Sequence, residues 1–265
     1  MTFLDLLDRI RACFEPVNLD DYDGEFGYID NSQTAISRVG YAASLDPTTS
    51  EKAVSAGMDV ILTHHDAWNF LYELRTRVLE MLKAASLSHC FVHLPLDAAP
   101  FGTSASLAER LGLGIMGDFA SYEGLACGRI CETPVPEPLD VVASRLADVT
   151  RAGVRVWHNN SAAIRRVGIT IGGGNLTDVL REAADMGCDT YITGETNLYT
   201  VQYARYRNMN LIVGTHTHTE FPGVETLANK LRLSTGLEFA PICEEDTETG
   251  SPAKTKRKPS MQGRY

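Results

Sequence analysis

Residues 38–65 of the chain read RVGYAASLDPTTSEKAVSAGMDVILTHH, and residues 166–195 read RVGITIGGGNLTDVLREAADMGCDTYITGE. Both begin with Arg-Val-Gly and continue through a short apolar segment, a turn and a helix-like stretch. Both then reach Gly-x-Asp and a second apolar segment that ends in Thr. The shared order favours an internal duplication, and each copy is predicted to fold as strand, helix, strand.

Four short apolar segments are the predicted strands of this duplicated unit: Val39–Ala43, Val60–Thr63, Val167–Ile171 and Thr190–Thr193. The stretch inside each copy is amphipathic, and a glycine, Gly57 or Gly187, marks the end of its helix. Strands that alternate with helices form parallel β-α-β units. The predicted fold class is therefore α/β with largely parallel sheets.

The chain is predicted to contain two lobes and a tail. Residues 1–131 form the first α/β lobe and residues 132–245 the second, because Glu132–Pro138 holds three prolines and marks a boundary. Residues 246–265 lose apolar side chains, which predicts a disordered tail. The basic run that begins at Lys254 could instead anchor an acidic partner.

The composition of the chain bears on which partners it binds and on where in the cell it is located. The net charge of −10 argues against binding of nucleic acid, since phosphate backbones are bound mainly by Lys and Arg. No apolar run is long enough to predict a membrane span, and the acidic N-terminus does not resemble a signal peptide. The six cysteines are scattered without a C-x-x-C pair, which predicts reduced core residues in a cytoplasmic protein.

Histidines and carboxylates follow the predicted strands at three places: Thr63-His64-His65, Leu96-Asp97 and His216-Thr-His-Thr-Glu220. Ligands of open parallel sheets collect beyond the carboxyl ends of the strands, so these side chains are expected to meet. Imidazole and carboxylate together suit zinc, manganese, iron and similar divalent ions. Two such ions about 3.5–4 Å apart are the usual arrangement for hydrolysis, so the sequence predicts a two-metal site.

Other residues near these strand ends have open roles. His218 would share a face with its neighbouring ligands in an extended segment. Pro222, which precedes a helix predicted at residues 223–232, favours a loop and places His218 behind the ligands. His93 and Asp46 either orient ligands or are plain polar residues. Gly172-Gly-Gly-Asn175 could hold a phosphate on backbone N–H groups, or simply form a tight turn.

The chain resembles a known family, the dinuclear-metal-centre proteins, or type-two GTP cyclohydrolase I homologues, also described as interacting-factor-three-like. The resemblance spans nearly all of residues 1–236, and the His-His pair combined with H-x-x-x-E is its most specific part. The matching motifs are Ser44-Leu-Asp-Pro-Thr, Gly57-Met-Asp, Ile61-Leu-Thr-His-His, His93-Leu-Pro-Leu-Asp, Leu107-Ala-x-x-Leu-Gly-Leu, Gly128-Arg-Ile, Gly172-Gly-Gly, Thr193-Gly-Glu and His216-x-x-x-Glu.

The resemblance implies a ligand set, a fold and an assembly. His64, His65, Asp97, His216 and Glu220 match ligands of two divalent ions per chain (zinc, iron or manganese), with Glu220 as the bridge. The implied fold has two interleaved α/β lobes with the metal site between them. The implied assembly is a homo-oligomer, a toroidal homohexamer.

The residues around the ligands depart from the family pattern. The family continues His-His-Pro-Leu-Ile-Phe, whereas the chain has Asp66-Ala-Trp-Asn-Phe70 after its two histidines. The family's His-Thr-Asn is His93-Leu-Pro here, and Leu198-Tyr199 lies where a His-His often follows Thr-Gly-Glu. Because the ligands match and the pocket differs, GTP is expected to be a poor substrate or none.

Two functions from different classes follow. The first is a metal-dependent hydrolase of a nucleotide-like small molecule, with Glu195 and His218 as the candidates for general acid or base. The second is a non-catalytic hexameric metal-binding scaffold or regulatory interaction protein.

Overall fold

The structure, a computed structural model, describes residues 1–32 and 35–248. Its strands are β1 (Phe26–Ile29), β2 (Arg38–Ser44), β3 (Val60–His65), β4 (Ser88–Val92), β5 (Gly114–Tyr122), β6 (Leu125–Glu137), β7 (Arg155–Trp157), β8 (Ile164–Ile169), β9 (Thr190–Thr193), β10 (Asn210–Val213) and β11 (Glu238–Pro241). Its α-helices are α1 (Phe3–Phe14), α2 (Pro47–Ser55), α3 (Glu73–Ala84), α4 (Leu94–Ala98), α5 (Thr103–Arg110), α6 (Leu139–Thr150), α7 (Thr177–Asp185), α8 (Leu198–Tyr206) and α9 (His216–Thr235). The predicted α/β class is confirmed.

The first sheet has the strand order β1-β4-β3-β2-β11. Strands β2, β3 and β4 are parallel, β11 joins β2 in parallel, and β1 pairs with β4 antiparallel. Alternate side chains of β3 enter different cores: Leu62 packs with α1 and α9, whereas Ile61 packs with Val78 and Leu82 of α3. Burial on both faces explains the apolar runs Val39–Ala43 and Val60–Leu62 in these strands.

The second sheet has the order β5-β6-β8-β9-β10-β7. Strands β8, β9 and β10 are parallel, whereas β5, β6 and β7 run antiparallel to their neighbours. The carboxyl ends of its parallel strands are therefore available at one edge, as they are in the first sheet.

The duplicated unit folds alike in both sheets, as β2-α2-β3 and β8-α7-β9. The equivalent aspartates Asp59 and Asp189 each accept hydrogen bonds from the backbone at the start of the unit, at Arg38 N (2.9 Å) and Arg166 N (3.1 Å). Each of those arginines also donates to a carbonyl at the end of its unit's helix. The copies share their hydrogen bonds as well as their order of elements.

The two lobes are interleaved along the chain. Strand β11 lies close to the end of the described residues, yet it pairs with β2 in the first sheet, Glu238 opposite Arg38. Helix α9 also returns, and its Val224, Leu227 and Leu231 pack in the core that holds α1. The predicted interleaved arrangement is confirmed.

The segment Glu132–Pro138 is not a linker, because strand β6 continues through Glu137. Its prolines fall where the pairing with β8 shifts register between Glu132 and Glu137, an irregular stretch where a missing N–H costs little. The division into lobes at residues 131 and 132 stays a prediction, although β6 crosses that position.

Helix α9 begins at His216, before the predicted helix at residues 223–232, so no loop precedes Pro222. A proline is normally confined to the first turn, but here the helix continues through it. Burial explains this: Pro222 and Gly223 are buried, and a Cβ at Gly223 would lie 2.5 Å from the backbone of Thr103 in α5. Packing of α9 on α5 therefore outweighs the local preference.

The predicted tail at residues 246–265 is described only as far as Glu248. Glu248 contacts the body of the protein, since its carboxylate accepts hydrogen bonds from His216 N (2.7 Å) and Thr217 N (3.1 Å). The disordered tail over residues 246–265 stays a prediction, although Glu248 contacts the start of α9. The basic run from Lys254 lies outside the described residues.

Candidate metal centre

The five predicted ligands meet at the ends of strands from both sheets. His64 and His65 are the last two residues of β3, and Asp97 lies in α4 directly after β4. His216 and Glu220 follow β10 on the first turns of α9, four residues apart and therefore on one face of that helix. The structure thus brings together side chains from three separate parts of the sequence.

The carboxylate of Glu220 lies at the centre of the cluster. Its Oε1 is 3.0 Å from Nε2 of His216 and 3.7 Å from Nε2 of His64, and its Oε2 is 3.3 Å from Nε2 of His65. On the other side, Asp97 Oδ1 lies 3.4 Å from the same His64 nitrogen. One buried carboxylate thus faces three imidazoles.

Each of these histidines is held through Nδ1, which leaves Nε2 directed at Glu220. The partners are Val92 O for His64 at 2.9 Å, Ser44 Oγ for His65 at 3.2 Å and Glu195 Oε1 for His216 at 2.6 Å. A carbonyl oxygen only accepts, so Nδ1 of His64 carries a proton, and Nε2 is the nitrogen that can give up its proton to bind a cation. Fixing the tautomer from behind in this way is typical of histidines that bind metals.

Two atoms of the cluster are buried without a hydrogen-bond partner among the described residues: Nε2 of His64 and Oε2 of Glu220. Buried polar atoms normally have a partner, and leaving one without any costs free energy. A divalent cation would satisfy both atoms, and nitrogen with carboxylate oxygen is a donor set that zinc, iron and manganese accept. The residues present therefore fit a metal.

The ligand atoms form two groups that share Glu220. One group is His64, Asp97 and Glu220, and the other is His65, His216 and Glu220. A third group, His64, His65 and His93, does not include Glu220. Within each group all ligand atoms lie within 4.8 Å of one another. This arrangement can hold a cation on either side of one carboxylate.

The electrostatics of the cluster favour positive charge. Burial opposes protonation of His64, but Asp97 and Glu220 outweigh it and raise the pKa of His64 to about 9. Burial likewise opposes protonation of His216, whose pKa Glu220 and Glu195 raise to about 10. Burial lowers the pKa of His65 to about 3. Burial disfavours the carboxylate of Glu220, yet the surrounding histidines hold its pKa well below the usual range.

The glycine turn after β8 lies directly against the cluster. Gly172 has a φ of +57°, and a Cβ there would lie 1.9 Å from Oε1 of Glu220. The close approach of the turn to Glu220 thus requires glycine at this position. Binding of a phosphate by residues 172–175 stays a prediction.

The two candidates for general acid or base lie in different surroundings. Glu195 contacts His216, and its second oxygen accepts a hydrogen bond from Asn175 Nδ2 at 3.1 Å. The Nδ1 of His218 lies 2.8 Å from Thr215 Oγ1, and His218 belongs to neither ligand group. By its contacts Glu195 orients His216; catalysis by either residue stays a prediction.

His93 and Asp46, the other two candidates for orienting ligands, differ in their contacts. The His93 ring lies 4.9 Å from that of His64, and its Nδ1 is 2.5 Å from Glu25 Oε2. Asp46 instead caps α2, where it accepts a hydrogen bond from Thr49 N at 2.7 Å. Asp46 is thus a capping residue.

Three further residues of the centre were not predicted from the sequence. Glu25 precedes β1, outside any motif, and Thr103, whose hydroxyl donates to Asp97 Oδ1 at 2.6 Å, lies in α5. The Trp68 ring packs 6.3 Å from that of His65. Only Trp68 could have been found, because it lies in a segment that departs from the family pattern.

The fold and the cluster together define a class: a two-sheet α/β protein with a buried group of histidines and carboxylates that could hold a metal ion at its strand ends. The chain belongs to the Duf34/NIF3 (NGG1p interacting factor 3) family, whose model matches residues 1–247.

Relatives of the chain carry one common name. A protein of Pyrococcus horikoshii named GTP cyclohydrolase 1 type 2 homolog is 29% identical over 248 residues, which cover 88% of this chain and 96% of the relative. A protein of Deinococcus radiodurans with the same name is 31% identical over 205 residues, 75% of this chain and 77% of the relative.

A solved structure shares the fold. TTHA1606 from Thermus thermophilus superposes with a TM-score of 0.78 at 24% identity, covering 93% of this chain and all (100%) of that one. Among the described residues, no helix has the length and apolar character needed to cross a membrane.

Proposed function

We propose that the chain binds two divalent cations in this centre and uses them to hydrolyse a nucleotide-like small molecule in the cytoplasm. The observation that carries the proposal is the position of Glu220, a buried carboxylate shared by two groups of ligand atoms. A pair of cations held by one carboxylate supplies Lewis acidity and lowers the pKa of bound water toward neutrality.

The residues around the ligands would fix the geometry of this site. Ser44 and Glu195 hold the rings of His65 and His216 from behind, so that neither ring needs to reorient when a cation binds. The Glu195 side chain is also 44% exposed, so a bound molecule can reach it. Glu195 is therefore the better candidate to move a proton during the reaction.

Two features support a substrate with a planar ring. The relatives are named for a nucleotide-converting enzyme. In addition, Trp68 packs beside His65 and His93, and the neighbouring Phe70 is 68% exposed at a near-parallel ring angle of 14°. Aromatic faces of this kind stack on bases. The altered residues 66–70 lead us to expect that GTP itself reacts poorly.

Turnover of a panel of nucleotides, phosphoesters and amides by cation-loaded protein tests the proposal. Activity should vanish with a chelator and return with a divalent cation. His65→Ala and Asp97→Ala should each lower kcat/KM by more than about 100-fold, since even residues behind a ligand are worth about 10–100-fold. Glu195→Gln should lower turnover by about 10²–10⁴-fold if it transfers a proton.

His158→Ala is the matched control, because His158 is an exposed histidine paired with Asp140 on the surface. It should retain wild-type turnover. Cation-loaded protein that is inert toward the whole panel would refute the hydrolase and favour the metal-binding scaffold. Rapid, chelator-sensitive opening of the GTP ring would contradict the expectation about GTP.

A further inference from the structure

Arg129 of β6 is a buried arginine, 3% exposed, whose guanidinium binds backbone carbonyls. Nη2 donates to Ala98 O at 2.7 Å and to Ala99 O at 3.0 Å. Nη1 donates to Ala126 O at 2.9 Å and to Gly128 O at 3.0 Å. The two Nη2 bonds join β6 of the second sheet to the end of helix α4, whereas the two Nη1 bonds stay within β6.

Arg129 forms its ion pair with Asp118, whose carboxylate lies at the surface and not in the interior beside the guanidinium. Nε lies 3.3 Å from Asp118 Oδ1, but the Asp118 side chain is 63% exposed. A buried guanidinium is costly unless its donors are satisfied, so the carbonyls compensate for most of its lost hydration. Such a group persists where its fixed planar geometry is useful, and a lysine cannot reproduce that geometry.

The two carbonyls bound by Nη2 immediately follow a proposed metal ligand. Ala98 is the residue after Asp97 in the five-residue helix α4, so bonds to its carbonyl and to that of Ala99 fix the backbone beside that carboxylate. Thr103 holds Asp97 Oδ1 from the other side, and that same oxygen lies 3.4 Å from Nε2 of His64. A shift of about 0.5 Å is enough to degrade a metal site.

We infer that Arg129 is the positioning residue for Asp97, and through it for one cation position only. That position is the group of His64, Asp97 and Glu220. The group of His65, His216 and Glu220 contains no residue of α4, so Arg129 leaves it unchanged. The inference rests on the proposed two-cation centre, and the two are tested separately below.

The test is a zinc and cobalt titration of the full chain, wild type against Arg129→Lys and Arg129→Gln. Both variants should bind one cation with wild-type affinity and the second about 10–100-fold more weakly, as when a residue behind a ligand is lost. When cobalt is limiting, the visible absorption spectrum of each variant should show a weaker contribution from one of the two cation positions than the wild-type spectrum does. Combining Arg129→Lys with Asp97→Asn should weaken binding no further than Asp97→Asn alone.

Arg145→Lys is the matched control. Arg145 also donates to a carbonyl at a helix end, that of Leu111, and it pairs with Glu137, away from the ligands. It should reduce stability but keep both cations at wild-type affinity.

Three results would overturn the inference: both cations retained at wild-type affinity in the Arg129 variants, equal weakening of both, or selective loss in Arg145→Lys. If neither Arg129 variant folds, Thr103→Val replaces them, since it loosens Asp97 without exposing a buried charge. Wild-type affinity for both cations in Thr103→Val would then overturn the inference. Failure of the proposed two-cation centre is distinguishable from these results, because wild-type protein would then bind fewer than two cations.

Discussion

At the scale of single residues, three chemically different groups hold the three ligand histidines. A backbone carbonyl holds His64, a hydroxyl holds His65 and a carboxylate holds His216. A carboxylate partner makes an imidazole a stronger base than a neutral partner does. We therefore expect the nitrogen of His216 to be the strongest imidazole donor of the three.

Replacing Glu220 tests whether one carboxylate serves two cations. Glu220→Gln keeps the size of the side chain and removes its charge, so both groups of ligand atoms lose their shared anion. Binding of both cations should weaken by more than about 100-fold, measured by elemental analysis and titration calorimetry. Asp97→Asn is the comparison, because it should weaken only one. If Glu220→Gln retains a full complement of metal, Glu220 does not bridge.

His89 provides a pH test that is separate from the ligands. Burial, with the charge of Arg75 nearby, lowers its pKa to about 3, while its Nε2 bonds Thr63 Oγ1 at 2.8 Å and its Nδ1 lies 3.8 Å from Asp66. Between pH 6.5 and about 3 the unfolded chain binds a proton at His89 that the folded chain does not. Stability is therefore lost as the pH falls below 6.5.

The free energy of unfolding in urea measures this effect. From pH 7 to pH 5, wild type should lose about 2 kcal/mol more than His89→Gln, which has no imidazole to protonate. The comparison removes the contribution of the other histidines, which both proteins share. Equal losses in the two proteins would show that His89 is protonated in the folded state.

The ligands could be predicted from the sequence, whereas their supports could not. His64, His65 and Asp97 stand beside apolar strands, and a strand end has a known location in a parallel sheet. Glu25 and Thr103 reach the centre from elements that are distant in sequence or have no periodic pattern. Arg129 lies in the Gly128-Arg-Ile motif, but that motif does not indicate which residues its guanidinium contacts. Their contacts depend on how the two sheets pack, which no local pattern encodes.

At the scale of elements, the duplicated unit was predictable and the hairpin β5–β6 was not. The unit has apolar runs, an amphipathic helix and a terminal glycine in order. Strand β5 is mostly exposed, with neither an apolar run nor a regular alternation, and β6 contains prolines. Pairing with β8 and with β5 makes these residues a sheet, and such long-range partners are invisible in a short window.

The start of helix α9 depends on a side chain from beyond β11. Thr215, the N-cap residue, makes no side-chain capping bond, and Glu248 instead accepts from the first two N–H groups. Glu248→Ala should lower stability by about 0.5–2 kcal/mol and speed cation release, because His216 lies in that turn. Thermal melting and stopped-flow chelation measure these effects.

Glu245→Ala is the control for Glu248, since Glu245 pairs with Lys52 rather than with α9. It should leave the rate of cation release unchanged. Identical behaviour of the two variants would mean that Glu248 does not support the ligand turn.

At the scale of the whole molecule, the family resemblance predicts a closed homo-oligomer, most simply a hexamer. Exposed apolar side chains on and around α7 and α8, including Leu176, Leu198, Tyr199 and Tyr206, offer contact surface for another copy. Light scattering at micromolar concentration should report about six chains. Leu198→Lys with Tyr206→Lys should lower that number if these residues form contacts, and a monomeric wild type would exclude the assembly.

The pairing of β11 with β2 also sets an order of events during synthesis. A ribosome releases the edge of β2 about 200 residues before it releases Glu238–Pro241. Until then, the backbone N–H and C=O groups on that edge of β2 have no β11 to pair with and are hydrated. His64 and His65 are likewise synthesised long before Glu220. A nascent chain of this protein therefore holds His64 and His65 without their carboxylate until Glu220 has been made, and in that interval the two imidazoles and the free edge of β2 are open to other partners.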